Sequence, residues 1–125
     1  MIIGIGTDIV EIDRIEKATL RTVGFIDKVF THNEQAHYEQ KHNRIETLAG
    51  FFAAKEAVSK ALGTGFRNFG LKDIEIVPNA LGKPEVYLYK NAKLLCDELK
   101  IKRIEVSISH CKEYATAFAI AEGEW

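Results

Sequence analysis

RIETLAGFFAAKEAVSKALG, residues Arg44 to Gly63, decides how the chain is read. Phe, Ala, Val and Leu occupy most positions from Ala49 to Leu62. That is denser than the one-sided apolar stripe of a surface helix, so the segment reads as a central helix from about Ile45 to Leu62. Gly63 follows as its left-handed stop. Yet Lys55, Glu56, Ser59 and Lys60 lie inside it. Four residues make about one turn, so Phe52, Glu56 and Lys60 stack along one edge, with Ser59 and Gly63 beside them. Taken alone, Glu56 and Lys60 read as an exposed i,i+4 pair worth a few tenths of a kcal/mol. In a helix this apolar the charges need partners. A carboxylate here can hold a cation together with a second carboxylate from elsewhere.

The second carboxylate is sought at the start of the chain. In MIIGIGTD, Ile3 and Ile5 alternate with Gly4 and Gly6. This is the pattern of a short buried strand lying close to other backbone, with Asp8 at its end. Asp8 also reads as a turn residue or as a cap for the following helix. Two carboxylates with waters and substrate oxygens suit Mg²⁺, which keeps much of its hydration and often bridges phosphates. They suit zinc poorly, because no His or Cys cluster accompanies them. Cys96 and Cys111 are far apart, match no metal spacing and read as free thiols of a reducing cytoplasm.

The other segments set the fold class. From Ile12 to about Arg21 the pattern is helical, with Ile12, Ile15, Ala18 and Thr19 on one face and Arg14, Lys17 and Arg21 on another. Thr31 and Glu34 form a capping-box signature before a polar helix. DIEIV and EVYLY read as strands joined through the turn residues of PNALGKP. NAKLLCDELK reads as a short helix capped by Asn91. RIEVSISH and YATAFAIAE alternate as an antiparallel pair of strands. The order β, α, α, α, β, β, α, β, β argues an α+β fold, helices packed on an antiparallel sheet, in a single domain over 1–125.

Composition narrows the function. The net charge is −1, with 46% hydrophobic and 28% charged residues. Such a surface does not coat nucleic acid. No apolar run approaches the roughly 20 residues that span a bilayer. The opening residues lack the charged start of a signal peptide, and Asp8 interrupts them early. Gly63-Thr64-Gly65 can offer backbone N–H groups to a phosphate, although a helix C-terminus disfavours anions and no GxxxxGK is present. Lys83 reads as a phosphate contact or as a solvated loop lysine. Ser109 and His110, at a strand end, read as a donor pair for phosphate or ribose. The Arg14, Lys17 and Arg21 stripe reads as a solvated helix face or, as a binding surface, as one for an acidic protein partner, three charges being few for a duplex.

The segments GIGTDIVEIDRI, FTHNE, FAAKEAVSKALGTG, DIEIVPNALGKP and SISHCKEYATAFAIAE follow one another along essentially the whole chain. In that order they resemble the holo-[acyl-carrier-protein] synthase family, the small stand-alone bacterial class of 4′-phosphopantetheinyl transferases. The resemblance implies transfer of 4′-phosphopantetheine from coenzyme A to a serine of apo-acyl carrier protein, with release of adenosine 3′,5′-bisphosphate. It implies Asp8 and Glu56 as Mg²⁺ ligands and Lys60 at the coenzyme A phosphates. It puts Gly63, Gly82, Lys83, Pro84, Ser109 and His110 near coenzyme A, and Arg14, Lys17 and Arg21 against the carrier protein. It implies a cytoplasmic homotrimer with coenzyme A between subunits. Longer relatives fuse two such units, so a chain with one should need an interface; the alternating Ala115, Ala117, Ala119 and Ala121 read equally as a face for that contact or as a tight core within the chain.

Within that reading Lys60 stabilises the departing phosphate charge or protonates it, and Glu56 or a water on the ion takes the serine proton. One position departs from the pattern. Many members carry arginine where this chain has Phe51, and Lys41, His42 and Arg44 are the candidates to replace its charge. Two rivals share parts of the pattern. A docking module would use only the basic stripe, and a Mg²⁺-dependent phosphohydrolase would use Asp8 and Glu56 with water as nucleophile.

Overall fold

The computed structural model describes residues 1–63, 65 and 68–124. Its elements are β1 (Ile2–Glu11), α1 (Ile12–Arg21), α2 (Phe25–Val29), α3 (His32–Gln40), α4 (Ile45–Ala61), a 3-10 turn (Leu71–Asp73), β2 (Ile74–Pro78), β3 (Pro84–Leu88), α5 (Lys90–Glu98), β4 (Ile101–His110) and β5 (Tyr114–Gly123). The class is α+β, as the sequence indicates. The strands divide between two antiparallel sheets, one ordered β1-β5-β4 and one pairing β2 with β3.

The long helix sits on the larger sheet because that sheet is nearly bare beneath it. Gly4 pairs with Ala121, Gly6 with Ala119 and Asp8 with Ala117, so glycines and alanines lie side by side on one face. A Cβ on Gly4 or Gly6 would run into the carbonyl oxygens of Ala61 and Ala57. The missing side chains let helix backbone rest on strand backbone. The four alanines of β5 are buried under the same helix. Of the two readings of these alanines, a face for a neighbouring subunit and a tight core within the chain, the structure takes the second: only small side chains leave room for α4 at this depth, and the chain uses that room itself. The opposite face of the sheet carries Ile5, Ile9, Tyr114 and Phe118, each 43–65% exposed.

From Leu48 to Ala61 every residue of α4 is buried except Phe52, Glu56 and Lys60. The edge singled out by four-residue spacing is thus the helix's one open line over that span. Leu62 ends the helix, and Gly63 follows at φ 87°, the left-handed stop expected of it.

Three local expectations change. β1 does not end at Asp8 but pairs with β5 as far as Glu11 and Tyr114, which puts Asp8 inside the strand. α2 follows a left-handed Gly24 and has five residues, too few to show a period. Asn91 does not cap α5. Tyr89 holds the cap position, and the Asn91 amide donates instead to the Asn68 carbonyl at 2.7 Å. The Thr31–Glu34 capping box forms as expected, and both cysteines are free.

Candidate active site

Asp8 and Glu56 meet on the β1 flank of α4. Strand alternation turns Asp8 toward the helix. The Thr116 hydroxyl donates to the Asp8 carbonyl at 2.8 Å and holds that backbone in place. Lys60, one turn beyond Glu56, donates to the Thr7 carbonyl at 2.9 Å and reaches Asp8 Oδ1 at 3.4 Å. The Asp8 side chain is 17% exposed and that of Lys60 52%. The close seating of α4 on Gly4 and Gly6 is what brings the helix edge within reach of the strand carboxylate.

The two carboxyls are held up by burial and Lys60 is their one opposing charge among the described residues. Burial pushes the Asp8 carboxyl above its ordinary range, against the opposing pull of Lys60 and of the Ile9 N–H. Burial also pushes Glu56 up, the Asp8 charge adds to it, and Lys60 opposes. Among the described residues no group of three or more His, Cys, Asp or Glu could hold a metal. Among the described residues the candidate donors at this place are the carboxylates of Asp8 and Glu56. That donor set fits a hard ion keeping most of its water and sharing positions with phosphate oxygens, as Mg²⁺ does, and does not fit zinc.

A second group of expected contacts lies on the other flank of α4, with β5 between β1 and β4. Phe51, Gly82 and His110 line a cavity of 340 Å³ with His37, Lys41 and Arg44. The Phe51 and His37 rings lie 5.7 Å apart at 52°. Burial pushes the His37 imidazole down, and the Lys41 charge adds to the effect. Lys41 and Arg44, offered as substitutes for the family's arginine, thus stand beside Phe51, and His42 is not among the lining residues. Gly82 takes φ 90° in a tight loop whose Asn79 side-chain oxygen accepts from the Leu81 and Lys83 N–H groups. Lys83 is not a free cation: it pairs with Glu105 at 3.0 Å. Pro84 opens β3.

Some expected partners are not brought together. Ser109 and His110 do not form one donor pair, because neighbouring strand residues face opposite sides. His110 pairs with the buried Ala115 on the α4 side, and Ser109 pairs with Thr116 on the other. The Gly63 N–H is taken by the Lys60 carbonyl at 2.9 Å, part of the helix stop. Thr64 lies outside the described residues. Arg14, Lys17 and Arg21 are exposed on α1 as expected, although Lys17 pairs with Asp13 at 2.8 Å.

Sequence reasoning missed Thr116, whose role depends on a strand partner 108 residues away. It also missed Leu20 and Val23, 80% and 94% exposed at the end of the basic stripe. Apolar residues outside the helix's buried face were their only signal. No helix among the described residues is long and apolar enough to cross a membrane.

The model of the 4′-phosphopantetheinyl transferase superfamily matches residues 4–119, and the chain belongs to that family. It is an enzyme of the phosphopantetheinyl transferase class, which excludes a docking module and a phosphohydrolase as its primary reading. It is 58% identical to the holo-[acyl-carrier-protein] synthase of Alkaliphilus oremlandii, with 97% of this chain and 99% of that protein covered. The crystal structure of holo-[acyl-carrier-protein] synthase from Neisseria meningitidis superposes with TM-score 0.89 at 37% identity, covering 98% of this chain and 99% of that one. The Helicobacter pylori enzyme, solved in complex with coenzyme A, does so with TM-score 0.82 at 32% identity, covering 94% and 99%.

Proposed function

We propose that the chain is a holo-[acyl-carrier-protein] synthase, moving 4′-phosphopantetheine from coenzyme A to a serine of apo-acyl carrier protein with Mg²⁺ and releasing adenosine 3′,5′-bisphosphate. The observation that carries this is the Asp8–Glu56–Lys60 cluster on the one open edge of a buried helix. Full-length similarity to synthases, including one that binds coenzyme A, supplies the substrate class.

The serine oxygen attacks the phosphorus that bears the pantetheine. Its bond to the adenosine bisphosphate oxygen breaks, and the serine proton passes to Glu56 or to a water. Asp8 and Glu56 would hold Mg²⁺, which when bound supplies charge neutralisation at the pyrophosphate. Lys60, on the same edge, is placed to follow the leaving phosphate charge. Gly82, Lys83, Pro84 and His110 bind coenzyme A from the β4 side, and Ser109, on the sheet's other face, would reach it only as part of a neighbouring subunit's contact. Lys41 and Arg44 supply cations beside Phe51 where other members use arginine. Arg14 and Arg21, with Lys17, draw the acidic carrier protein, and Leu20 and Val23 give that surface an apolar centre.

The two flanks of α4 carry different halves of this inventory, and that supports a homotrimer. A neighbour's β4 side would complete the β1 side of each chain. The outward Ile5, Ile9 and Phe118, rather than the alanines, are the apolar face for the contact. The reaction is assigned to the cytoplasm, in keeping with two free thiols. The test is mass spectrometry of apo-carrier protein incubated with enzyme and coenzyme A, with Mg²⁺ or with chelator. One added phosphopantetheine per carrier, only with Mg²⁺, is expected, and an unchanged carrier mass refutes the proposal. Light scattering across a dilution series, paired with specific activity, tests the trimer, and a fully active monomer contradicts it.

A further inference from the structure

Lys55 and Glu34 are both 0% exposed and stand 2.7 Å apart. The Lys55 ammonium also donates to the Leu71 and Ile74 carbonyls at 2.9 and 2.6 Å, so its three protons are all engaged. Glu34 accepts from the Thr31 N–H on one oxygen and from the Ile76 N–H on the other, each at 2.8 Å. Around this pair, Glu75 accepts from the Thr31 hydroxyl at 2.6 Å and from the Tyr89 hydroxyl at 2.9 Å. The bonds run from α3 and α4 to the 3-10 turn, to β2 and to the residue before α5.

Hydrophobic side chains of similar volume hold such a site together as well as a buried ion pair does, or better. What the pair adds is direction, since each bond fixes a particular atom of one element against another. The element so fixed is the β2–β3 hairpin, which shares no ladder with the larger sheet. Its far end is the Asn79–Lys83 loop, where Gly82 lines the cavity beside Phe51. At that end Lys83–Glu105 is an exposed ion pair, and such pairs hold weakly.

We propose that Lys55 and Glu34 are positioning residues: their buried joint sets where the hairpin's tip stands relative to α4, and thereby how tightly coenzyme A is held. This rests on the reading that Gly82 and Lys83 bind coenzyme A. The joint acts on substrate binding from the hairpin's base and touches no reacting atom.

The test replaces the directional joint by an apolar one, Glu34→Leu with Lys55→Met. The expected result is a chain that still folds, with a Tm below the parent's because the Leu71 and Ile74 carbonyls and the Thr31 and Ile76 N–H groups lose their partners, a KM for coenzyme A raised about tenfold, and kcat nearly unchanged. The KM for carrier protein should stay where it was. A folded double variant with unchanged KM for coenzyme A overturns the proposal, as does an equal rise in both KM values, which would mean general loosening. Should the double variant fail to fold, Glu75→Gln reads the same quantity at the rim of the joint. A smaller rise in KM for coenzyme A supports the proposal, and none overturns it. Lys83→Met in the parent chain tests the loop reading separately. If it leaves KM unchanged while the apolar joint raises it, Lys83 makes no contact with coenzyme A and the hairpin acts through Gly82.

Discussion

Lys55 and Glu56 are consecutive residues of one helix, and their surroundings differ in every respect. Lys55 is fully buried, and each of its protons reaches a carboxylate or carbonyl oxygen. Glu56 is partly exposed, and among the described residues its carboxylate has no hydrogen-bond donor. Burial and the charge of Asp8 push it up. The difference teaches how to sort charges in an apolar helix. A buried charge whose bonds are complete holds elements together. A half-buried charge left incomplete, beside a like charge, is waiting for a ligand.

Removing the incomplete side should cost function and spare the fold. Asp8→Ala is expected to lower turnover on the order of 10³-fold, with an unchanged circular dichroism spectrum. Near-parental turnover would break the comparison at its functional end. Removing the complete side should do the reverse. Lys55→Met alone strands the Glu34 carboxylate in the core and should destabilise the chain by about 3 kcal/mol in urea unfolding. A stable Lys55→Met chain would mean the pair does not hold the fold. Gly6→Ala sharpens the link between the two, because its methyl group would push α4 off β1. A loss of about 2 kcal/mol is expected, with turnover falling as Glu56 moves away from Asp8. The smallest effect lies on the exposed face of α1. Arg14→Glu with Arg21→Glu should lower kcat/KM for carrier protein about tenfold, more so at low salt, with KM for coenzyme A unchanged. An equal loss for coenzyme A would place the stripe in the nucleotide site.

Local patterns made much of this legible. The helix around Glu56, its glycine stop, the capping box at Thr31 and the strands from Ile74 onward all follow from spacing within a few residues. Asp8 was legible as a carboxylate near a strand, but its place inside the strand depended on Tyr114 pairing with Glu11. Alternation and turn residues already joined β4 to β5 and β2 to β3; the pairing of β1 with β5 and the division into two sheets are long-range choices that no window of sequence contains. The same holds for Lys55: it and Glu56 look alike on paper, and only the approach of α3 and of the 3-10 turn tells them apart. The β5 alanines carried the right alternation but not the side on which it is used. The assignment of Asp8, Glu56 and Lys60 to particular roles came from resemblance, to which the geometry adds their meeting on one flank.

Glu56→Gln, followed by both thermal unfolding and transfer to apo-carrier protein, tests the division most directly. A carboxyl raised above its unfolded value binds its proton more tightly in the folded state, so the parent loses stability as pH rises through that window. The amide carries no charge to bury. The variant should therefore melt about 2 °C above the parent at pH 8, with the gain vanishing near pH 4, where the parent's carboxyl is protonated. Over the same range its transfer activity should be nearly absent. A variant that melts lower than the parent at pH 8, or that transfers phosphopantetheine at the parental rate, would contradict the account.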